Sequence, residues 1–227
     1  MRQTEISPSI LSADFANLKN EVESVEHAGV KSIHLDIMDG HFVPNISFGP
    51  VVVKSVRQIT DLALWAHLMI TDPESFVDPF LKAGVNGIVF HIELDIDHSQ
   101  IIDYIKGNNI GCGIAVNPDT DIRKIEPLLE FVDRILIMSV YPGFGGQKFI
   151  ENSLNKISEL RNFIEGLKLN TLIEVDGGVN ADNAGIIAEA GADILVAGSA
   201  VFGHSGGPEQ GVRAIYNSLI HREYHEK

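Results

Sequence analysis

Eight short apolar runs rich in β-branched residues alternate with eight longer amphipathic runs, and this alternation is the strongest constraint on the fold. The predicted strands span residues 6–9, 32–38, 62–69, 87–91, 110–116, 134–139, 171–175 and 194–197. The predicted helices span residues 14–28, 50–58, 73–83, 99–106, 122–131, 153–166, 183–190 and 208–221. Strands that alternate with helices in this way build parallel sheets, so the fold class is α/β.

The number of units favours a closed (β/α)8 TIM barrel over an open doubly wound sheet. Such barrels average about 250 residues, and the 227 residues of this chain fit a compact one. A dinucleotide-binding sheet would carry Gly-x-Gly-x-x-Gly after its first strand, and no such motif stands there. Because no linker, low-complexity segment or charge block divides the sequence, residues 1–227 are predicted to form a single domain.

Charge and apolar patterning exclude several classes of partner. The chain has 31 acidic and 17 basic residues and a net charge of −14, which argues against nucleic acid and anionic membranes. No run of about 18 apolar residues predicts a transmembrane helix, and no apolar signal core precedes the first predicted strand. The single Cys112 fits a reducing compartment, so we expect a cytoplasmic protein.

Polar residues at the carboxyl ends of barrel strands are where chemistry is expected. His34 and Asp36 lie two apart on the second predicted strand and therefore share a face. His67 stands near the end of the third strand, and Asp176 follows the seventh. Two imidazoles and two carboxylates suit Zn²⁺, Fe²⁺, Mn²⁺ or Co²⁺, although strand-end position alone is equally compatible with four unrelated polar residues.

A second pair of a histidine and an acid keeps an alternative open. His91 and Glu93 have the same two-residue spacing at the end of the fourth predicted strand. Spacing alone is compatible with a rival ligand pair and equally with a pair that supports the ligands from behind.

Three glycine-bearing turns follow the sixth, seventh and eighth predicted strands. Their candidate phosphate-binding residues are Gly143, Gly145, Gly146, Gly177, Gly178, Gly198 and Ser199. Glycine lets backbone N–H groups approach an anion closely, and barrels often bind phosphate with the loops after strands seven and eight. Lys148 is the only basic residue close to these turns, so backbone amides are expected to do the binding.

Five motifs together resemble the ribulose-phosphate 3-epimerase family. They are SPSILSADF at 7–15, HLDIMDGHFVPN at 34–45, HLM at 67–69, SVYPGFGGQ at 139–147 and EVDGGVN at 174–180. The resemblance runs in order from Ile6 to about Phe202.

The resemblance implies a (β/α)8 barrel with one divalent metal ion per chain. Zn²⁺ or Fe²⁺ is expected in preference to Mn²⁺ or Co²⁺. The implied metal ligands are His34, Asp36, His67 and Asp176. Asp36 and Asp176 are also the implied acid–base catalysts. The implied substrate-binding residues are Ser9, His67, Met38, Met69 and Met138.

The implied enzyme inverts C3 of a ketose phosphate, with D-ribulose 5-phosphate and D-xylulose 5-phosphate of the pentose phosphate pathway as the first choice. Two carboxylates would transfer the protons through a metal-stabilised enediolate. The implied partners are a small sugar phosphate and further copies of the chain in a homo-oligomer.

Three other functions stay open. The first is an epimerase of a hexulose phosphate such as allulose 6-phosphate. The second is a phosphosugar lyase or decarboxylase, which usually needs a strand-end lysine that this sequence does not have. The third is a phosphosugar-binding protein without catalysis, which would not need two carboxylates beside a metal.

The chain departs from the family pattern at three places. Tyr141 stands where Asn or Glu is common, Trp65 stands where Asp is common, and Asp121 replaces a common Pro. None of the three is an implied catalytic residue, but Tyr141 bears on substrate fit.

Overall fold

A computed structural model describes residues 4–222. Eight parallel strands form a nearly closed barrel in the order β1-β8-β7-β6-β5-β4-β3-β2. An isolated parallel bridge between Ser9 and His34 brings the first strand beside the second. The strands are β1 (Glu5–Pro8), β2 (Ser32–Met38), β3 (Ala63–Met69), β4 (Gly87–His91), β5 (Gly111–Val116), β6 (Arg134–Met138), β7 (Leu172–Asp176) and β8 (Ile194–Ala197). The predicted fold class is therefore confirmed.

Helices lie between the strands. The α-helices are α1 (Leu18–His27), α2 (Pro50–Arg57), α3 (Val77–Ala83), α4 (His98–Gly107), α5 (Ser153–Gly166), α6 (Ala184–Glu189), α7 (Ser199–Phe202) and α8 (Pro208–Arg222). Short 3₁₀ helices span Ile10–Ser12, Phe15–Asn17 and Glu74–Phe76. None of the helices within residues 4–222 combines the length and apolar character that crossing a membrane requires.

Two local features differ from the sequence-based expectation. The predicted helix at 122–131 is a 3₁₀ helix, Ile122–Phe131, with Pro127 inside it. Proline has no N–H to donate and its ring crowds the preceding turn, which disfavours a regular α-helix. The short α7 was not predicted, because its four residues span too little sequence to show a helical period.

Alternation along the strands separates two environments. On β2, Ile33, Leu35 and Ile37 join the large apolar cluster between sheet and helices. His34 and Asp36 take the opposite face and are buried inside the barrel. In the register between β2 and β3, Asp36 stands beside His67. The fold thus directs polar side chains into the barrel and towards its carboxyl end.

Candidate active site

The four predicted metal ligands come together at the carboxyl end of the barrel. One ligand atom each from His34, Asp36, His67 and Asp176 lies within 4.8 Å of all the others. The Nε2 atom of His34 is 3.3 Å from Oδ1 of Asp36, and the Nδ1 atom of His67 is 3.2 Å from that same oxygen. Both of these nitrogens are 3.8 Å from Oδ2 of Asp176.

This donor set fits a divalent metal ion. The Nε2 atom of His34 faces Nδ1 of His67 at 3.3 Å. In a hydrogen bond between them, only one of these two nitrogens can carry a proton. Two imidazole nitrogens and two carboxylate oxygens that converge on one point are ligands for Zn²⁺, Fe²⁺, Mn²⁺ or Co²⁺. Within residues 4–222, these four side chains are the one such group of histidines, cysteines and acids.

The two carboxylates differ in their electrostatics. Burial, together with the neighbouring charge of Asp36, raises the pKa of Asp176 to about 8. Burial also opposes ionisation of Asp36, but the charge and hydrogen bond of His34 outweigh it and hold the pKa of Asp36 well below its usual range. In the metal-free site, ionisation is therefore more favourable at Asp36 than at Asp176.

The two histidines also differ. Burial lowers the pKa of His34, but the negative charges of Asp36 and its neighbours prevail and place that pKa well above its usual value. Burial dominates at His67 and lowers its pKa to about 4. In the metal-free site, the doubly protonated ring is therefore favoured at His34 and the neutral ring at His67.

Each histidine has a buried partner on its far side. The Nδ1 atom of His34 is 3.2 Å from Oε1 of Glu174, whose other oxygen accepts a hydrogen bond of 2.9 Å from Arg134. Burial raises the pKa of Glu174, but Arg134 and His34 lower it to about 2. The sequence analysis did not single out Glu174 or Arg134. In the sequence, only their even spacing from Asp176 and Met138 on the same strands could have indicated that they face inward.

The alternative pair of His91 and Glu93 lies behind His67. The Nε2 atoms of His67 and His91 are 2.9 Å apart, and Nδ1 of His91 is 3.0 Å from Oε2 of Glu93. The second Glu93 oxygen accepts a hydrogen bond of 2.8 Å from the backbone N–H of Asn117. The pair is therefore placed to support His67, and it does not belong to the cluster of four ligands.

A cavity opens directly above the cluster and contains about 530 Å³ of empty space, part of it open to solvent. Asp36 and Asp176 line it, whereas His34 and His67 are buried beneath. The other predicted residues on its wall are Ser9, Met38, Met69, Met138, Gly143, Gly145, Gly146, Gly177, Gly178, Gly198 and Ser199. The predicted substrate and phosphate residues apart from His67 thus surround one space. Ser12 and Gln147, which were not predicted, also line it.

The hydroxyl group of Ser9 links this wall to the cluster. Its Oγ donates a hydrogen bond of 2.5 Å to Oδ2 of Asp36. Because Oδ1 of Asp36 faces the two histidines, this bond fixes how the carboxylate is turned.

The glycine turns form part of the cavity wall, and this part presents backbone groups and little charge. No lysine or arginine stands among the described residues that line the cavity, and Lys148 is not one of them. Gly178 has a φ of +67°, and a Cβ there would lie 2.4 Å from the backbone nitrogen of Phe149. Gly178 is thus required by close chain packing, whereas Gly145 has ordinary space, since a Cβ there would meet only Ser12 Oγ at 3.5 Å.

The loop after β6 is held by hydrogen bonds within the loop and to two neighbouring loops. Tyr141 donates a hydrogen bond of 2.9 Å from its hydroxyl group to Asp119 in the loop after β5. Gln147 donates to the carbonyl groups of Tyr141 and Phe144, and Asn45 donates to that of Gly143. Tyr141 is about half exposed and does not line the cavity, so it acts on the loop and not directly on a bound molecule.

Comparison with known proteins gives a consistent result. Residues 5–202 match the model of the ribulose-phosphate 3 epimerase family. The chain is 48% identical over 202 residues to ribulose-phosphate 3-epimerase of Bacillus subtilis, covering 88% of this chain and 93% of that protein. It is 51% identical over 200 residues to the chloroplastic ribulose-5-phosphate-3-epimerase of Arabidopsis thaliana, covering 87% of this chain and 71% of that protein.

Solved structures show the same fold at low identity. A crystal structure of 3-hexulose-6-phosphate synthase superposes with a TM-score of 0.71 at 17% identity, covering 95% of this chain and 100% of that one. At that identity the likeness concerns the barrel fold alone.

Proposed function

The chain belongs to the ribulose-phosphate 3-epimerase family, and from this premise we propose that it interconverts D-ribulose 5-phosphate and D-xylulose 5-phosphate by inversion at C3. The observation that carries the proposal is the position of Asp36 and Asp176. Both belong to the metal-ligand cluster, and both line the cavity above it. A binding protein without catalysis would not need two carboxylates at the point where a buried site meets its substrate cavity.

The residues that would hold one divalent ion, Zn²⁺ or Fe²⁺ by preference, are His34, Asp36, His67 and Asp176. When bound, such an ion supplies Lewis-acid stabilisation of the negative charge that develops on substrate oxygens after proton removal. The protein contributes the orientation of these ligands through Glu174 behind His34 and His91 behind His67.

Asp36 and Asp176 carry out the proton transfer. One carboxylate removes the proton from C3 on one face of the substrate, and the other carboxyl group returns a proton on the opposite face. Both carboxylates line the cavity, so each can exchange a proton with a molecule bound there. The strands β2 and β7 are separated by β1 and β8, so the two side chains approach the substrate from different directions.

The remaining wall binds and shields the substrate. Backbone N–H groups of the glycine turns after β6, β7 and β8 hold the phosphate group, which suits a chain with a net charge of −14. The buried side chains of Met38, Met69 and Met138 form the apolar part of the wall and keep water from the reacting carbon.

Purified protein tests the metal and the substrate together. We expect one divalent ion per chain by elemental analysis, loss of activity on chelation and recovery on adding the ion back. His67→Ala should lose the ion, whereas His91→Ala should retain it. Full activity in metal-free protein, or a turnover of D-allulose 6-phosphate greater than that of D-ribulose 5-phosphate, would contradict the proposal.

Gly145→Ala tests the phosphate site. Its backbone and surroundings accept a methyl group, so the variant should fold and should raise KM for the phosphorylated substrate. Lys148→Ala is the matched control and should have little effect. A Lys148→Ala variant that loses binding, beside a normal Gly145→Ala variant, would assign the phosphate to the lysine.

A further inference from the structure

The interior of the barrel below the metal-ligand cluster is filled by an indole ring. Trp65 lies on β3, two residues before His67 and on the same face, and it packs with Val89, Ala115 and Leu136 inside the barrel. A Cβ atom at Gly111 would lie 2.3 Å from the indole. At Gly87 the corresponding distance would be 2.4 Å. Both glycines have φ angles that other residues also adopt, so glycine is needed at these positions because a side chain would collide with the indole ring.

A guanidinium group lies over this ring. The Cζ atom of Arg134 is 3.2 Å from the centroid of the Trp65 ring, and the Arg134 side chain is only 7% exposed. Gly113 makes room here as well, since a Cβ there would lie 2.8 Å from Cγ of Arg134. Arginine is suited to this position, because its planar and weakly hydrated cation can stack on an aromatic face while it hydrogen-bonds along its edge.

The edge of the guanidinium group is directed at a fully buried carboxylate. Nη1 of Arg134 donates a hydrogen bond of 2.9 Å to Oε2 of Glu174, which is 0% exposed. The other oxygen of Glu174 faces Nδ1 of His34 at 3.2 Å. A histidine that donates from Nδ1 to a carboxylate presents the lone pair of Nε2 to a metal. That nitrogen of His34 is the one that faces Asp36, Asp176 and His67.

We propose that Arg134, held over the ring of Trp65, is a positioning residue that turns Glu174 towards His34 and so orients His34 for the metal ion. The inference rests on the metal site of the proposed function and extends it to the inner floor of the barrel. Stability alone does not account for the arrangement, because a buried ion pair is often no more stabilising than apolar side chains of the same volume.

Metal affinity is the property that separates positioning from a purely structural role. Co²⁺ affinity of the full chain is measured by competition with a chromophoric chelator, at a temperature where circular dichroism shows each variant folded. Arg134→Met keeps an unbranched side chain that can pack against Trp65 but removes the guanidinium group and its hydrogen bond to Glu174. We expect it to bind Co²⁺ about 10- to 100-fold more weakly than the parent chain. Arg134→Lys, which keeps the charge but not the planar fork, should lie between the two.

Arg161→Met is the matched control. Arg161 forms a buried ion pair with Asp193, away from the cluster, so its removal tests the loss of a buried cation alone. It should lower thermal stability and leave Co²⁺ affinity unchanged. The absorption spectrum of bound Co²⁺ is a second measurement, and it should change in the Arg134 variants but not in Arg161→Met.

The outcomes are distinguishable from failure of the proposed function. A parent chain that binds no Co²⁺ would refute the metal site itself. A parent chain that binds Co²⁺, beside an Arg134→Met variant with equal affinity and an equal spectrum, would refute the positioning role. If Arg134→Met does not fold, Arg134→Lys decides the question, and parental affinity and spectrum in that variant would overturn the inference.

Discussion

Metal binding at pH 7 should release about two protons for each ion taken up. In the metal-free protein the pKa of Asp176 is about 8 and that of His34 lies well above its usual value, so both groups carry a proton to be displaced. Asp36 is already ionised and His67 is neutral, so neither contributes. Two protons are then exchanged for one dication, and the net charge of this buried cluster stays the same, as a poorly solvated environment favours.

The sign of the pH dependence follows from the same groups. As the pH falls below about 8, protons on His34 and Asp176 compete with the ion, and apparent affinity should fall by up to about a hundredfold per pH unit while both protons are held. His67, with a pKa of about 4, adds to the competition only in strongly acidic solution. Affinity should therefore rise steeply from pH 6 to about pH 8, and the rise should become less steep above pH 8 as the Asp176 proton is lost.

Isothermal titration of metal-free protein with Co²⁺ measures the proton number directly. The observed enthalpy is plotted against the ionisation enthalpy of several non-coordinating buffers at pH 7, and the slope gives the protons released. Asp176→Asn should release about one proton, because its amide has none to lose. His91→Ala removes none of the four ligands, so it should release the same number of protons as the parent chain. A slope of zero, or an affinity independent of pH between about 6 and 8, would refute the protonation states derived from the site.

Three further predictions follow from individual contacts. Asp36→Asn should lower kcat by about 10²- to 10⁴-fold. In D₂O, this variant should exchange the C3 hydrogen only of the epimer whose C3 proton faces Asp176, and equal exchange in both epimers would contradict a two-base mechanism. Gly111→Ala should lower stability by about 1–3 kcal/mol in thermal unfolding, because its Cβ would lie 2.3 Å from Trp65, whereas Gly107→Ala, with nothing within 4 Å, should cause no loss. Burial raises the pKa of Asp39, but backbone hydrogen bonds lower it to about 2. The ionised carboxylate therefore contributes about 1 kcal/mol, reduced by solvent screening, to the free energy of unfolding above about pH 4, and this contribution is lost towards pH 2. In urea unfolding, Asp39→Asn should differ from the parent chain at pH 6 and converge with it near pH 2.

Local chain chemistry determined much of this protein. The alternation of apolar strands and amphipathic helices predicted the barrel, because residue periods of two and 3.6 are properties of short segments. The same reasoning placed His34 and Asp36 on one face of β2. Spacing did not by itself choose His67 and Asp176 over the pair of His91 and Glu93, and there the family resemblance supplied the assignment.

Contacts across the barrel were decided only by the tertiary structure. The position of His91 behind His67 depends on how β3 and β4 present their inner faces, and strand-end position does not distinguish the two histidines. The departure at Trp65 gave no hint that Arg134, on β6, would stack on it. The tilt and stagger with which eight strands close determine which side chains meet inside a barrel. No segment of sequence contains that geometry, because it exists only when all eight strands are in place.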